Sequence, residues 1–455
     1  MTLAVVTLAA GKGSRMKSDL PKVLHKLAGR PMLDHVLHSA AQLPDARLHV
    51  VIGHGAEQVQ AQITGFPVSW AIQHEQKGTG HAVAQAMPEV DPAATVLVLY
   101  GDVPLIRTAT LQKLLDETHA GHALALLTVE LADPSGYGRI VRDAGGNIQA
   151  IVEHKDASAE QRTIREVNTG ILAVSAALLN DWLPRLSANN SQGEYYLTDI
   201  IAMAVAQGVA VRAIHPQDEA EVQGVNDRLQ LAQLERIYQH RQAAELLRAG
   251  VSLADPARLD IRGSLTAGAD VSIDVGCVFE GDVVLADGVQ IGPYCVIRNS
   301  HIGAATEVEA YSLIDQAQVA EACHIGPYAR LRPGAELHTR AKVGNFCEVK
   351  KSVIGAGAKV NHLTYIGDAD IGTGVNVGAG TITCNYDGVN KFRTEIGDNA
   401  FIGSNSSLVA PVKVGAGATV AAGSVITKEV GEYELSVARG KQRNVQGWKR
   451  PHKKD

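Results

Sequence analysis

Aromatic residues are scarce in this chain. Three Trp, eleven Tyr and five Phe make up 4% of 455 residues, too few for a core built on large rings. Cysteine is scarcer: Cys277, Cys295, Cys323, Cys347 and Cys384 are the only five, with none in the first half and no CxxC pair. An odd number without paired spacing argues against disulfides and a zinc site, and it fits a reducing cytoplasm. No apolar run reaches the ~18 residues that a membrane span requires. The apolar start Leu3–Ala10 has no Lys or Arg before it and is cut short by Gly11-Lys12-Gly13, so it reads as a buried first strand and not a secretory segment. Positive charge is not in excess either. Lys+Arg 42 against Asp+Glu 48 leaves a net charge of −6, a poor balance for general nucleic-acid binding.

Glycine is plentiful, at 45 residues, and 45% hydrophobic against 20% charged content marks a globular chain. The length suits two to three domains. In the first half, apolar runs at Leu3–Leu8, His49–Ile52, Thr95–Tyr100 and Ala123–Glu130 alternate with helical patterns at Leu33–Gln42, Thr108–Thr118 and Leu197–Gln207. The alternation predicts an α/β domain with a mostly parallel sheet, its ligands beyond the carboxyl ends of the strands. Asp227–Ala249 lacks Pro and Gly, carries a stripe of Leu231, Leu234, Tyr238 and Arg241, and meets Gly250. It predicts one helix, roughly 34 Å long at 1.5 Å per residue, with 229–249 linking a domain over 1–228 to one over 250–455.

The second half repeats. Aliphatic residues recur every six positions at Ile325, Leu331, Leu337, Val343 and Val349, then at Ile354, Val360 and Ile366, and again from Ile396 to Ile426. Each hexapeptide makes a short strand and a turn. Three make a triangular coil of about 18 residues that buries its aliphatics by stacking on its neighbours, which is a parallel β-helix. Cys277, Cys295, Cys323 and Cys347 fall two residues before an aliphatic position, facing inward, where a small residue is needed; structural thiols are expected. The rule for parallel crossovers favours a right-handed turn. Hexapeptide coils nonetheless resemble the left-handed β-helix family, and that resemblance implies a left hand.

The first strand runs into LAAGKGSRM, Leu8 to Met16. Its glycines let backbone amides approach phosphate, and Lys12, Arg15 and Lys22 add positive charge. Neither a Walker A motif nor GxGxxG is present, and an ordinary strand–helix turn is the bland reading. Asp102 ends the strand of LVLYGDVP; it could cap the next helix or hold Mg²⁺. The ordered strings LAAGKGSRM, PK, GTGHA, YGDVP, GYGRI, EVNTG and VNDR together resemble the sugar-nucleotide transferases over nearly all of 1–228. The resemblance implies a Rossmann-like nucleotidyltransferase domain. Leu8, Ala9, Ala10, Gly11 and Lys22, with Arg15, would meet nucleotide phosphates, and Gln73, Gly78 and Thr79 the uracil and ribose. Tyr100, Gly101, Gly138, Glu153 and Asn168 would hold the sugar, and Asp102 and Asn226 would hold Mg²⁺. A sugar 1-phosphate attacking the α-phosphate of UTP is already ionised, so positioning and charge neutralisation are the whole task.

In the β-helix, Leu331, Val349 and Ile366 share a face in successive coils. Arg332 and Lys350, each just after its aliphatic, then stack outward roughly 4.8 Å apart, a repulsive pair unless an anion lies between. Glu348 and Tyr365 lie beside them and His362 in the adjoining turn. A merely solvated charged face is the alternative. Thr381–Glu395, with Asn385-Tyr386-Asp387-Gly388, interrupts the rhythm and must loop out. The tail from Arg439 holds Lys441, Arg443, Lys449, Arg450, Lys453 and Lys454; it either is solvated or covers an anionic cofactor.

The strings RLRPGAEL, GNFCEVKKS, NHLTYIGD, GAGTITCNYDG and SVARGKQR extend the resemblance over the whole chain. They resemble the bacterial bifunctional enzymes that combine N-acetylglucosamine-1-phosphate uridylyl transfer with glucosamine-1-phosphate N-acetyl transfer. By that resemblance His362 takes a proton from the substrate amine and Glu348 orients it. Arg332, Lys350, Tyr365 and Asn376 would bind the amino-sugar phosphate; Ala379, Asn385, Tyr386, Ser404, Ala422 and Arg439 would meet acetyl-CoA. The family is a cytoplasmic homotrimer of cell-wall precursor synthesis, with acetyl-transfer sites between subunits and no nucleic-acid or membrane partner. Two other readings remain at this point: a single-activity nucleotidyltransferase whose β-helix only oligomerises or binds regulators, and a non-enzymatic β-helix scaffold.

Overall fold

The computed structural model describes residues 2–119, 124–451 and 453. Ala123 of the fourth apolar run and Lys454 of the tail lie outside the described residues. The chain forms two compact units, Met1–Tyr238 and Gln239–Asp455.

The first unit is built on a twisted sheet. Seven of its nine strands are β1 (Leu3–Ala9), β2 (Ala46–Ile52), β3 (Val68–Ile72), β4 (Thr95–Tyr100), β5 (Leu124–Glu130), β6 (Glu166–Ser175) and β7 (Val211–Ile214), in the order β7-β5-β6-β4-β1-β2-β3, with the hairpin Arg139–Arg142 and Ile148–Val152 off β6. Neighbours are parallel except at β6, which runs antiparallel to β4 and β5. Side chains alternate across β4. Leu97 and Leu99 pack with α1 (Met32–Ala41) and α3 (Thr108–His119) on one face, while Val96 and Val98 pack with α2 (Thr79–Ala86) on the other. Burial on both faces is why β1 and β4 read as unbroken apolar runs. The chain runs from β1 out to β2 and β3 and then returns to β4 on the other side of β1, so the loops after Ala9 and Tyr100 meet at the switch point of the sheet.

The helix expected over Leu197–Gln207 starts as a 3₁₀ turn, Leu197–Asp199, and becomes α-helical only over Ile200–Ala206. The long helix, α4, covers Arg228–Arg248. Its first half packs on the first unit. Leu234 is buried with Met16, Leu27 and Met32, and the Glu235 carboxylate accepts the Ala28 N–H at 2.6 Å. Gly250 ends α4 with φ of 97°, a left-handed value that suits glycine.

The second unit is the hexapeptide β-helix, of the left-handed type. Strands of two or three residues, such as His324–Ile325, Arg330–Leu331 and Ala335–Leu337, follow one another around each coil. They stack in parallel ladders from coil to coil. Ile325, Leu331, Val343, Val349, Val360 and Ile366 are fully buried, each against its counterpart one coil away. The inward cysteines are buried, and their thiols point at backbone carbonyls, Cys295 at Glu309 and Cys347 at Val360. Burial pushes Cys277 up to about 11 and Cys295 up to about 12, so these thiols stay protonated and inert. The interruption lengthens one coil: Val377 pairs with Ile402, 25 positions on, where the steps just before and after it are 17 and 18.

Candidate functional site

Parallel strands aim their carboxyl ends at one edge of the first unit, and there the structure has a cavity of about 230 Å³. Leu8, Ala9, Ala10, Gly11, Lys22, Gln73, Gly78, Thr79, Tyr100 and Asp102 line it, so the loops after β1 and β4 and the start of α2 converge as expected. The Gly101 N–H donates to the Leu8 carbonyl at 2.9 Å and ties the two loops together.

Lys22 and Asp102 form an ion pair, with both side chains largely shielded from solvent. Arg15 donates to Asn226 Oδ1 at 2.8 Å, and the Val225 N–H donates to the Asp102 carbonyl at 2.9 Å. The segments carrying Asp102 and Asn226 are therefore neighbours. Their oxygens are hard donors, and each already faces a cationic side chain. Among the described residues no cluster of three or more His, Cys, Asp or Glu could hold a metal ion. A carboxylate and an amide oxygen suit Mg²⁺, which keeps water and phosphate as its other ligands.

The remaining first-unit candidates form a linked group beside the cavity. Gly138 accepts the Asn168 N–H through its carbonyl at 2.8 Å, and a methyl group added there would strike Ile151 and press on Glu153. Thr198 donates to Glu153 at 3.2 Å, and burial raises the Glu153 pKa. Asn168 Oδ1 accepts the Gly170 N–H at 3.1 Å, and Gly170 lies against the Tyr100 ring. Burial, and then the charges of Glu153 and Asp102, raise the Tyr100 pKa, so its hydroxyl stays a neutral donor. Val23, Gln76, Ala82 and Glu194 also line the cavity and went unread in the sequence. Glu194 comes from a loop more than 90 positions beyond Asp102, with no local signal of its role.

In the second unit the register places Glu348 opposite Tyr365, and Lys350 opposite Gly367, on adjacent coils. The Arg332 N–H bonds the Val349 carbonyl, which sets Arg332 one coil from Lys350. Lys391, from the interrupting loop, approaches Lys350; its proximity, then desolvation and Arg332, lower the Lys350 pKa. Three cations thus crowd one patch, and sequence reading missed Lys391 because nothing local ties loop position 391 to position 350.

Glu348 and His362 have separate partners in the structure. The Glu348 carboxylate accepts Arg332 at 2.7 Å and Arg330 at 3.4 Å. The partner of the His362 ring is Asn345, whose Oδ1 lies 2.8 Å from Nδ1. An amide oxygen only accepts, so Nδ1 carries the proton and Nε2 presents its lone pair outward. Glu348 thus pairs with the arginines of the cation patch, and Asn345 with the His362 ring. The sequence did hold the signal: Asn345 and His362 lie 17 positions apart, one coil step, and pair in the register.

The acetyl-CoA candidates show a further order. His362, Ala379 and Ser404 carbonyls accept the N–H groups of Gly380, Asn405 and Gly423, each one coil further on. His362, Ala379, Ser404 and Ala422 therefore stack along one corner over roughly 14 Å at ~4.8 Å per coil. Arg439 closes the row through a 2.6 Å bond to the Ala422 carbonyl. Asn385 is buried and bonded to Asp368, and Tyr386 is exposed in the loop. Asn376 stands apart from the cations, in the ladder of Lys359 and Phe401.

The MobA-like NTP transferase domain family matches residues 5–167, and the bacterial transferase hexapeptide family, six repeats, matches 393–428. Relatives match from end to end. The bifunctional protein GlmU of Cellvibrio japonicus is 63% identical over 99% of this chain and 100% of its own. Those of Marinobacter nauticus and Pseudomonas entomophila are 60% and 59% identical, over 99% or more of either chain. The chain belongs to the GlmU family. The two matched segments fall one in each of the two units, the GlmU nucleotidyltransferase fold around the cavity and the GlmU hexapeptide coils.

Proposed function

We infer that this chain is a bifunctional enzyme that makes UDP-N-acetylglucosamine. The β-helix transfers an acetyl group from acetyl-CoA to glucosamine 1-phosphate. The α/β unit then transfers uridylyl from UTP to N-acetylglucosamine 1-phosphate and releases pyrophosphate. The observation that carries this reading is the presence, on one GlmU-family chain, of both a phosphate-type cleft and an oriented imidazole base.

In acetyl transfer, the amine of the sugar attacks the thioester carbonyl and its N–H proton passes to His362 Nε2, as the C–S bond breaks and coenzyme A leaves as thiolate. Asn345 holds the tautomer that leaves Nε2 free, and Arg332, Lys350 and Lys391 offset the sugar phosphate charge. The corner row from His362 to Ala422 is long enough for an extended thioester arm lying along the helix axis, with Arg439 at its far end. Tyr365, Asn376, Asn385 and Tyr386 are assigned to substrate and cofactor in the same reading.

In uridylyl transfer, Leu8–Gly11, Arg15 and Lys22 bind the triphosphate, and Tyr100, Gly138, Glu153 and Asn168 hold the acetamido sugar. Asp102 and Asn226 would hold Mg²⁺, which would supply charge neutralisation on the phosphates. Lys22 pairs with the Asp102 carboxylate at the cleft. The assembly proposed is a homotrimer through the β-helix. In support, Tyr294, Tyr311 and Tyr328 expose a ladder of stacked rings, 5.2 and 5.0 Å apart, along one corner. No helix among the described residues is long and apolar enough to cross a membrane; a cytoplasmic site belongs to the proposal.

The test supplies glucosamine 1-phosphate, acetyl-CoA, UTP and Mg²⁺ to the purified chain. Expected products are coenzyme A, pyrophosphate and UDP-N-acetylglucosamine. Pyrophosphate from supplied N-acetylglucosamine 1-phosphate, with no coenzyme A released from glucosamine 1-phosphate, would leave only the single-activity reading.

A further inference from the structure

The strand β3 ends at Ile72, and the next residue, Gln73, turns its amide into the cavity at the start of α2. Gln73 is only 3% exposed, so both ends of its amide need partners. Its Nε2 lies 3.1 Å from the Gly78 carbonyl, which only accepts, and so Nε2 is the donor end. The second hydrogen points at His81 Nδ1, 3.0 Å away, which therefore accepts, and the Gln85 amide nitrogen lies 3.4 Å from the other ring nitrogen. Both hydrogens of the amide are used. Among the described residues Gln73 Oε1 has no hydrogen-bond partner, yet it is not among their buried unpaired atoms, so it opens to the cavity that Gln73 lines. The cleft thus presents a fixed acceptor beside Gly78 and Thr79.

We propose that His81 is a positioning residue for base selection: by holding the Gln73 amide in one flip, it makes the nucleotide site favour uracil over cytosine. The inference rests on the uridylyl-transfer reading above. Uracil carries a hydrogen on N3 and can donate to Gln73 Oε1. Cytosine has a lone pair on N3, and two acceptors then face each other. A freely flipping amide could offer its NH₂ to cytosine N3 instead; the His81 bond and the Gly78 carbonyl oppose that flip. His81 sits on the first turn of α2, partly exposed beside Tyr195, and is not itself a lining residue of the cavity.

The experiment measures kcat/KM for UTP and for CTP with N-acetylglucosamine 1-phosphate, on the full-length wild type and on His81→Leu, His81→Phe and His81→Asn. Leu and Phe lack the acceptor, and Phe keeps a ring. Asn carries an oxygen close to where Nδ1 stood. Losing one of two hydrogen bonds that fix the flip should narrow the UTP/CTP ratio by about tenfold in His81→Leu or His81→Phe, with His81→Asn restoring most of it. Using two acceptor-less variants keeps the test open if one of them misfolds. A wild-type ratio retained in both, even with lower overall turnover, would show that His81 only packs and would overturn the proposal. Wild type accepting CTP as readily as UTP would instead overturn the uracil reading of the cavity itself.

Discussion

The catalytic imidazole is set by its partner. His362 has its tautomer fixed by Asn345 Oδ1. Replacing Asn345 by Ala should lower acetyl-transfer kcat by roughly 10- to 100-fold, less than the 10²–10⁴ for losing the base itself, with little change in KM for glucosamine 1-phosphate. Asn345→Asp keeps an acceptor and should recover part of the rate; equal rates in wild type and Asn345→Ala would remove Asn345 from the mechanism. His35 behaves differently. It is buried, and desolvation lowers its pKa to about 4 despite its bond to the Leu27 carbonyl; Arg30 adds to the lowering, while Asp34 and Glu235 oppose it. The folded value lies below the unfolded one, so the unfolded chain binds the extra proton as pH falls below about 6.5. Stability should therefore fall by about 2 kcal/mol between pH 7 and pH 5 from this group. Denaturation midpoints at the two pH values measure it, and His35→Phe should flatten the dependence. An unchanged slope in that variant would mean that other groups carry the effect.

At the scale of elements, each coil is held by aliphatics that meet only their counterparts one step away. Ile366 is fully buried between Val349 and the following coil, so Ile366→Ala should cost about 2–5 kcal/mol and lower the thermal midpoint of the second unit. A midpoint unchanged by that substitution would contradict coil-by-coil burial. This architecture was legible because a six-residue period repeats a single physical requirement, and so the stacking of Arg332, Lys350, Glu348 and Tyr365 followed from spacing alone. The choice of Asn345 over Glu348 as partner of His362 did not. Register puts both within reach of the patch, and the decision falls to Arg332, which takes the Glu348 carboxylate. In the first unit, the motif loops were readable because they follow buried strands. Glu194 and Lys391 reach their places by long-range folding that leaves no local pattern. The reversed strand β6 was equally hidden, since an apolar run does not state its direction.

For the whole molecule, the two compact units divide inside α4, between Tyr238 and Gln239. We expect a fragment of residues 1–238 to keep Mg²⁺-dependent uridylyl transfer. A fragment ending at 228 removes Leu234 and the carboxylate that accepts the Ala28 N–H, and should be less stable by about 2–5 kcal/mol, a difference that chemical denaturation of the two fragments resolves. An inactive but folded 1–238 fragment would mean that the uridylyl site needs the β-helix. The claim that one chain carries two separate catalytic centres is tested most directly by running both assays on Asp102→Ala and His362→Ala. Asp102→Ala should lose uridylyl transfer and keep acetyl transfer at the wild-type rate. His362→Ala should lose 10²–10⁴ in acetyl transfer and keep uridylyl transfer from supplied N-acetylglucosamine 1-phosphate. Parallel loss of both activities in either variant, or normal acetyl transfer without His362, would contradict it.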